Sequence, residues 1–177
     1  MKLVLLTGAT GLLGRYLLRD LFAAGHAVAV IARGSRKDPA ADRIETVMSR
    51  WEKLENRALP RPIILEGDLT QPGLGLSVED RDLLRRHCRR VIHSAASLYF
   101  RAEENGEPQR TNLEGTRNVL ELCEEVGVEQ LHHLSTAYIA GTRTGRVYER
   151  ELNVGQSFCN VYEESKCAAE GLVRRSS

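Results

Sequence analysis

The sequence predicts an α/β fold, a doubly wound parallel sheet with helices on both faces. Short apolar runs of strand type recur along the chain, each separated from the next by a segment compatible with a helix. The first run, Lys2 to Leu6, leads straight into glycines spaced Gly8-x-x-Gly11-x-x-Gly14. A second run, Ala27 to Ala32, completes a strand–helix–strand unit of about thirty residues, the length that such a glycine turn demands.

Within that first unit, Gly8 lets the chain turn sharply off its strand, and Gly11 lets backbone approach a phosphate with no Cβ in the way. Gly14 lets the following helix pack closely on the sheet. Leu13, Leu17 and Leu21, with Tyr16 beside them, repeat as on one helical face, and Gly25 ends the helix. Glycines at this spacing alone also suit an ordinary tight strand-to-helix turn, but with the strand before and the helix and strand after them the pattern is that of a Rossmann-type dinucleotide turn, in which pyrophosphate oxygens sit on free N–H groups at the helix N-terminus. Gly8, Thr10, Gly11, Leu12, Leu13 and Gly14 are assigned to that seat.

Further along, Ala40 to Glu55 predicts a charged surface helix and Ile63 to Glu66 a strand. A short helix over Val78 to His87 follows the loop Thr70-Gln-Pro-Gly-Leu-Gly75, and Val91 to Ser94 is a further strand. Residues 110–126 give the clearest later helix, with Val119, Leu120, Cys123 and Val126 on its apolar side before Gly127 stops it. Gln130 to Ser135 predicts the last strand, and a final helix is expected from near Ser157 almost to the last residue. Between them, Tyr138 to Gly155 carries Gly141, Gly145, Gly155 and many charges without sustained periodicity. That stretch reads as a loop bordering the ligand crevice at the carboxyl ends of the strands.

The 177 residues suit a single domain spanning 1–177. Lys and Arg total 25 against 24 Asp and Glu, and the net charge of +1 gives no general electrostatic case for binding nucleic acid or a membrane surface. No run reaches the roughly 18 apolar residues of a membrane span. The N-terminal apolar stretch is broken by Thr7 and Gly8, unlike a signal peptide, so a cytoplasmic location is expected. Cys88, Cys123, Cys159 and Cys167 share no C-x-x-C spacing and read as reduced, structural thiols. His132 and His133 are neighbours in a strand and point to opposite faces, so no metal site is expected.

Chemistry enters at the end of the second strand, about twenty residues past the glycine turn, where an NAD-selective fold places an acid against the ribose hydroxyls. Arg33 stands there instead. A guanidinium pairs with a 2′-phosphate through two charge-assisted hydrogen bonds, and Arg36, Lys37 and Arg43 add positive charge nearby. The favoured cofactor is therefore NADP(H) rather than NAD(H), the other reading being a solvated basic loop. Tyr162-Glu-Glu-Ser-Lys166 places a phenol and an ammonium on one helical face, where the cation would favour the phenolate and make the tyrosine a proton donor or acceptor, the other reading of the motif by itself being a surface pair. Upstream, Leu134-Ser-Thr-Ala-Tyr-Ile-Ala-Gly141 ends a strand, and Thr136 or Ser135 would donate to a substrate carbonyl oxygen, the other reading being a Ser/Thr capping pair. Tyr138 is an alternative phenol without a lysine four residues later.

Together, Thr7-Gly-Ala-Thr-Gly-Leu-Leu-Gly14, the Ser/Thr strand end and Tyr162-x-x-x-Lys166 resemble the extended branch of the short-chain dehydrogenase/reductase superfamily over nearly the whole chain. Within it the sequence looks most like the thioester reductase and fatty acyl-CoA reductase group. The blocks that carry this are Ala32-Arg-Gly-Ser35, Gly67-Asp-Leu-Thr70, Val91-Ile-His-Ser-Ala-Ala96, Asn112-Leu-Glu-Gly-Thr116 and Leu134-Ser-Thr-Ala-Tyr138. The resemblance implies that Asp68 and Leu69 border the adenine and that Ser94, Ala95 and Ala96 pass beside the ribose and nicotinamide. It makes Arg33 and Arg43 the 2′-phosphate contacts, Thr136 the catalytic Ser/Thr and Tyr162 the general acid, with Lys166 also holding the nicotinamide ribose. Asn112 would support a water or a backbone kink, or else cap a helix.

The activity so implied is NADPH-dependent reduction of an acyl thioester, on a carrier protein or on CoA, to an aldehyde or alcohol. Fusion to, or association with, adenylation and carrier domains would accompany it. Two other readings stand beside this one: a sugar-nucleotide epimerase, dehydratase or other carbonyl reductase of the extended family, and a non-catalytic NADP(H)-binding module. Extended members continue past the Tyr-x-x-x-Lys helix into a further strand and a substrate region, so the sequence reads as C-terminally truncated.

Overall fold

The computed structural model describes residues 2–35 and 37–176. Strands β1 (Leu3–Thr7), β2 (Ala27–Ala32), β3 (Ile63–Glu66), β4 (Cys88–His93) and β5 (Gln130–His133) form one parallel sheet in the order β3-β2-β1-β4-β5. Helices α1 (Leu12–Ala23), α2 (Ala40–Glu55), α3 (Val78–His87), α4 (Gly115–Val126) and α5 (Val161–Arg175) alternate with them. After β3 the chain crosses back to lay β4 against β1, so a topological switch point lies between β1 and β4, and the carboxyl ends of those strands open a crevice there.

Each face of the sheet has its own core, and strand alternation decides which residue joins which. Leu3, Leu5, Ala29, Ile31 and Leu65 pack with Leu84 of α3 and with Val119 and Leu122 of α4. Leu6, Val28 and Val30 pack with Leu18 of α1 and with Ile44, Met48 and Trp51 of α2. With both faces covered, every residue of β1 is buried, which is why Leu3 to Leu6 is an unbroken apolar run rather than an alternating one and why the polar Thr7 that ends it is hydrogen-bonded.

Several elements differ in detail from the sequence expectation. The buried stripe of α1 is Gly14, Leu18 and Phe22, while Leu13 is 59% exposed at the mouth of the crevice. The glycine sets this rotation: a Cβ at Gly14 would overlap the carbonyl of Gly8, so only that face can lie against the turn. The charged helix α2 also buries Ala40, Ile44, Met48 and Trp51. Strand β5 ends at His133, short of Ser135: Leu134 N–H still donates to His93 O, but the Leu134 carbonyl turns to accept from Lys166 Nζ. Residues 110–126 are not one regular helix, because Arg110–Glu114 is a π-helical turn ahead of α4. Asn112 lies buried within that turn rather than capping a helix, so the kink reading is the one its position matches.

The final helix starts at Val161 rather than near Ser157. Asn160 Oδ1 accepts from Glu163 N–H at 3.0 Å, and the Glu163 carboxylate accepts from Cys159 N–H at 2.9 Å and from Asn160 Nδ2 at 3.0 Å, a reciprocal cap that fixes the start. Ahead of it the glycine-rich stretch is irregular apart from a 3-10 turn at Ala137–Ala140, and Gln156 Nε2 ties it down by donating to Ile139 O and Leu152 O. Among the described residues, no helix is long and apolar enough to cross a membrane.

Candidate active site

At the carboxyl ends of the strands lies a cleft of about 400 Å³. Gly8, Thr10, Gly11, Leu12 and Leu13 line it from the glycine turn, Arg33 from the end of β2, and Arg43 from α2. Asp68 and Leu69 line it after β3, Ser94, Ala95 and Ala96 after β4, Ser135 after β5, and Tyr162 and Lys166 from α5. Of the residues assigned from sequence to the cofactor, Gly14 alone is absent from the lining, since it sits behind the turn against Gly8. Leu98 and Thr111 also line the cleft; neither belongs to a periodic pattern or a spacing that would have singled it out.

The glycine turn is shaped as an anion seat. Gly8 has φ +74°, and a Cβ there would lie 2.6 Å from Ala95 N, so only glycine permits both the backbone turn and the close approach of the chain leaving β4. Gly11 N–H closes the turn on Gly8 O at 2.9 Å. Gly11 is the N-cap of α1 and offers no side-chain acceptor, and no acid stands in the first helical turn. The free N–H groups of that turn therefore have no internal counter-charge, which suits a bound phosphate.

Arg43 braces this seat rather than standing free. Its Nη1 donates to Arg33 O at 2.7 Å, its Nη2 to Thr10 Oγ1 at 3.3 Å, and its Nε lies 3.4 Å from the Asp38 carboxylate. Arg33 is exposed at the cleft, and its guanidinium has no hydrogen bond or ion pair among the described residues. Lys37 is exposed nearby; Arg36 lies outside the described residues. Asp68 folds its own loop by accepting from Thr70 N–H and Thr70 Oγ1, both at 2.9 Å.

Helix α5 brings Tyr162 and Lys166 to the opposite wall, one turn apart. Tyr162 is buried, with its ring edge-on to Phe100 at 5.7 Å. Lys166 is only 2% exposed, and its Nζ donates to Leu134 O at 2.7 Å. Burial pulls the ammonium pKa down to about 8, against the opposing influence of Glu170. Of the two candidate hydroxyls, Ser135 lines the cleft, whereas Thr136 caps the following 3-10 turn, its Oγ1 accepting from Tyr138 N–H at 3.3 Å. Because Thr136 Oγ1 acts there as an acceptor, its own hydrogen stays available for donation. Tyr138 is 65% exposed and outside the lining.

An uncapped helix end, a glycine cradle that a Cβ would fill and a guanidinium unpaired among the described residues, all at the same cleft, fit a dinucleotide. The comparisons with known proteins agree with a nicotinamide dinucleotide site. The terminal R domain from the myxalamid PKS-NRPS biosynthetic pathway superposes with a TM-score of 0.82 at 28% identity, over 99% of this chain and 45% of that one. A putative fatty acyl-CoA reductase of Drosophila melanogaster is 33% identical over 147 residues, 77% of this chain and 28% of that protein. A UDP-glucuronic acid 4-epimerase from Bacillus cereus, solved with NAD, shares the fold at a TM-score of 0.70 and 24% identity, over 98% of this chain and 52% of that one. This chain therefore spans about half or less of the length of each. The family model described as male sterility protein matches residues 6–177, and the chain belongs to that NAD-binding family, a branch of the extended short-chain dehydrogenase/reductases.

Proposed function

We propose that the chain supplies the NADPH site and the proton-donating residues of a reductase acting on an acyl thioester, held on a carrier protein or on CoA, to give an aldehyde or alcohol. The observation that carries this is the arrangement of one cleft: an anion seat at the glycine turn, an Arg33 unpaired among the described residues at one end, and Tyr162 beside Lys166 on the opposite wall. Arg33 and Arg43 hold the 2′-phosphate, Asp68 and Leu69 border the adenine, and Ser94, Ala95 and Ala96 face the ribose and nicotinamide. A bound NADPH supplies hydride to the acyl carbon. Thr136 donates a hydrogen bond to the acyl oxygen, stabilising the negative charge that develops there. Tyr162 protonates that oxygen to give a hemithioacetal, whose C–S bond then breaks as its hydroxyl proton returns to the phenolate, leaving the aldehyde and the carrier or CoA thiolate, which takes a proton from solvent. Lys166 stands beside Tyr162 and holds the ribose hydroxyls.

The substrate class is supported by the kinship with the PKS-NRPS R domain and with the acyl-CoA reductase, and the former also supports a setting beside carrier domains. Arg33, where an acid would favour NAD, weighs against an NAD-retaining epimerase. The test is NADPH oxidation followed by absorbance with acyl-CoA, acyl-pantetheine and UDP-sugar substrates. Consumption with a thioester, reduced about a hundredfold or more in Tyr162→Phe without loss of NADPH binding, is the expected result. Turnover of the nucleotide sugar alone would sink the proposal, and tight NADPH binding without turnover of any carbonyl compound would leave a binding module.

A further inference from the structure

Behind the cleft runs a chain of buried polar groups to which the proposed chemistry gives no role. His93, the last residue of β4, is 1% exposed. Its Nδ1 lies 2.7 Å from Thr7 Oγ1 and its Nε2 lies 3.1 Å from Thr116 Oγ1. The neighbours fix which atom donates. Thr116 Oγ1 gives its single hydrogen to the Asn112 carbonyl at 2.6 Å, so it can only accept from His93, and Nε2 must carry the ring hydrogen. Nδ1 is then the acceptor: Thr7 Oγ1 donates to it while itself accepting from Ala95 N–H at 3.2 Å. Burial opposes a second ring proton and holds the His93 pKa near 3, so the neutral form persists.

The chain continues beyond Thr116. Asn112 Nδ2 donates to Ser97 O at 3.0 Å and to Ser165 Oγ at 2.9 Å, while its Oδ1 accepts from Ser97 N–H at 2.7 Å. Ser165 Oγ donates in turn to the Tyr162 carbonyl at 2.8 Å. One end of the network is thus a backbone amide that lines the cleft, and the other is the first turn of α5.

We infer that His93 is a positioning residue, locked as the Nε2–H tautomer, that couples the backbone at Ala95 to the helix carrying Tyr162 and Lys166. The inference rests on the reductase reading for its consequence in turnover, though not for its geometry. The links among Thr7, His93, Thr116, Asn112 and Ser165 are buried, and those to Ala95 and Ser97 part-buried, so removing a buried one leaves a donor or acceptor unpaired rather than returned to water. His93 is suited to the junction because a neutral imidazole offers one donor and one acceptor on opposite sides of a rigid ring.

Ring-nitrogen NMR of the protein labelled at histidine tests the junction directly. The expected spectrum shows a protonated Nε2 and a bare Nδ1 at His93, unchanged from pH 5 to 8; the opposite tautomer, or titration within that range, overturns the inference. Thr116→Val removes the acceptor for Nε2–H, and Thr116→Ser restores it. Thr116→Val is expected to lower kcat about tenfold while the NADPH Kd stays within about twofold, with recovery in Thr116→Ser. Equal kcat in all three proteins, whatever their melting temperatures, would mean that the network only fills the core. If the wild type reduces no acyl thioester, the functional reading fails and the coupling is judged by backbone amide NMR instead. Resonances of Tyr162 and Ser165 that move in Thr116→Val and return in Thr116→Ser uphold it, and unmoved resonances refute it.

Discussion

Lys166 Nζ donates to the carbonyl of Leu134 at 2.7 Å, joining the helix that bears Tyr162 to the end of the last strand. An ammonium this deeply buried is costly, and the one carbonyl partner compensates only in part, as the lowered pKa shows.

The pH dependence of stability should carry that signature. The folded-state pKa is about 8, against an ordinary value of 10.5, so between those values the unfolded chain binds the extra proton. This residue therefore makes the fold more stable as pH rises through that window and less stable as it falls. The unfolding free energy of the wild type relative to Lys166→Met should climb by on the order of 3 kcal/mol from pH 8 to 10.5. Parallel urea-denaturation series for the two proteins would contradict this.

On the acid side, the buried imidazoles act. Burial lowers His133 to about 4, with the positive charge of Lys166 adding to the effect, and lowers His93 to about 3. From pH 6.5 down to about 4 the unfolded chain binds protons that the folded chain refuses, so stability falls as the solution is acidified. Replacing His133 with Gln should flatten the slope of unfolding free energy against pH by up to about 1.4 kcal/mol per unit. An unchanged slope between pH 4.5 and 6 would show that this ring is not held neutral.

Gly8 and Gly25 both have positive φ, at 74° and 77°, but only Gly8 has a neighbour in the space a Cβ would take. Gly25→Ala should cost about 1 kcal/mol through backbone strain alone. Gly8→Ala adds a clash with Ala95 and should cost more than about 3 kcal/mol, together with loss of NADPH binding. Chemical denaturation and cofactor fluorescence separate the two, and similar costs at both positions would refute the close-approach argument.

The two arginines at the cleft should behave differently. Arg33 is unpaired among the described residues, so Arg33→Ala should weaken NADPH binding about tenfold or more and leave NADH binding unchanged. Arg43 bridges Arg33 O and Thr10 Oγ1 besides its proposed 2′-phosphate contact, so Arg43→Ala should weaken both cofactors by loosening the turn, and NADPH more than NADH. Dissociation constants for NADPH and NADH on each variant decide the matter, and equal losses of both cofactors in Arg33→Ala would remove the 2′-phosphate role.

Local sequence spacing was enough to order the strands and helices, because a parallel sheet covered on both faces writes each buried strand as an apolar run and each helix as a repeat near 3.6. The same locality made the glycine turn, Arg33 at the end of β2 and the Tyr162–Lys166 pair legible, since each depends on residues a few positions apart. It did not reveal which stripe of α1 faces the sheet, because Leu13 fits the apolar repeat and only the overlap between Gly14 and Gly8 excludes it. Nor did it place Asn112 inside a π-helical turn, fix the direction of the Thr136 hydroxyl or show that His93 bridges Thr7 and Thr116. What the sequence alone determined is the set of elements and the turn chemistry at their ends. Only the tertiary structure decided which of those ends share one cleft and how the buried protons behind it are arranged, because hydrogen bonds between residues 86 and 23 positions apart follow from packing geometry and leave no spacing to read.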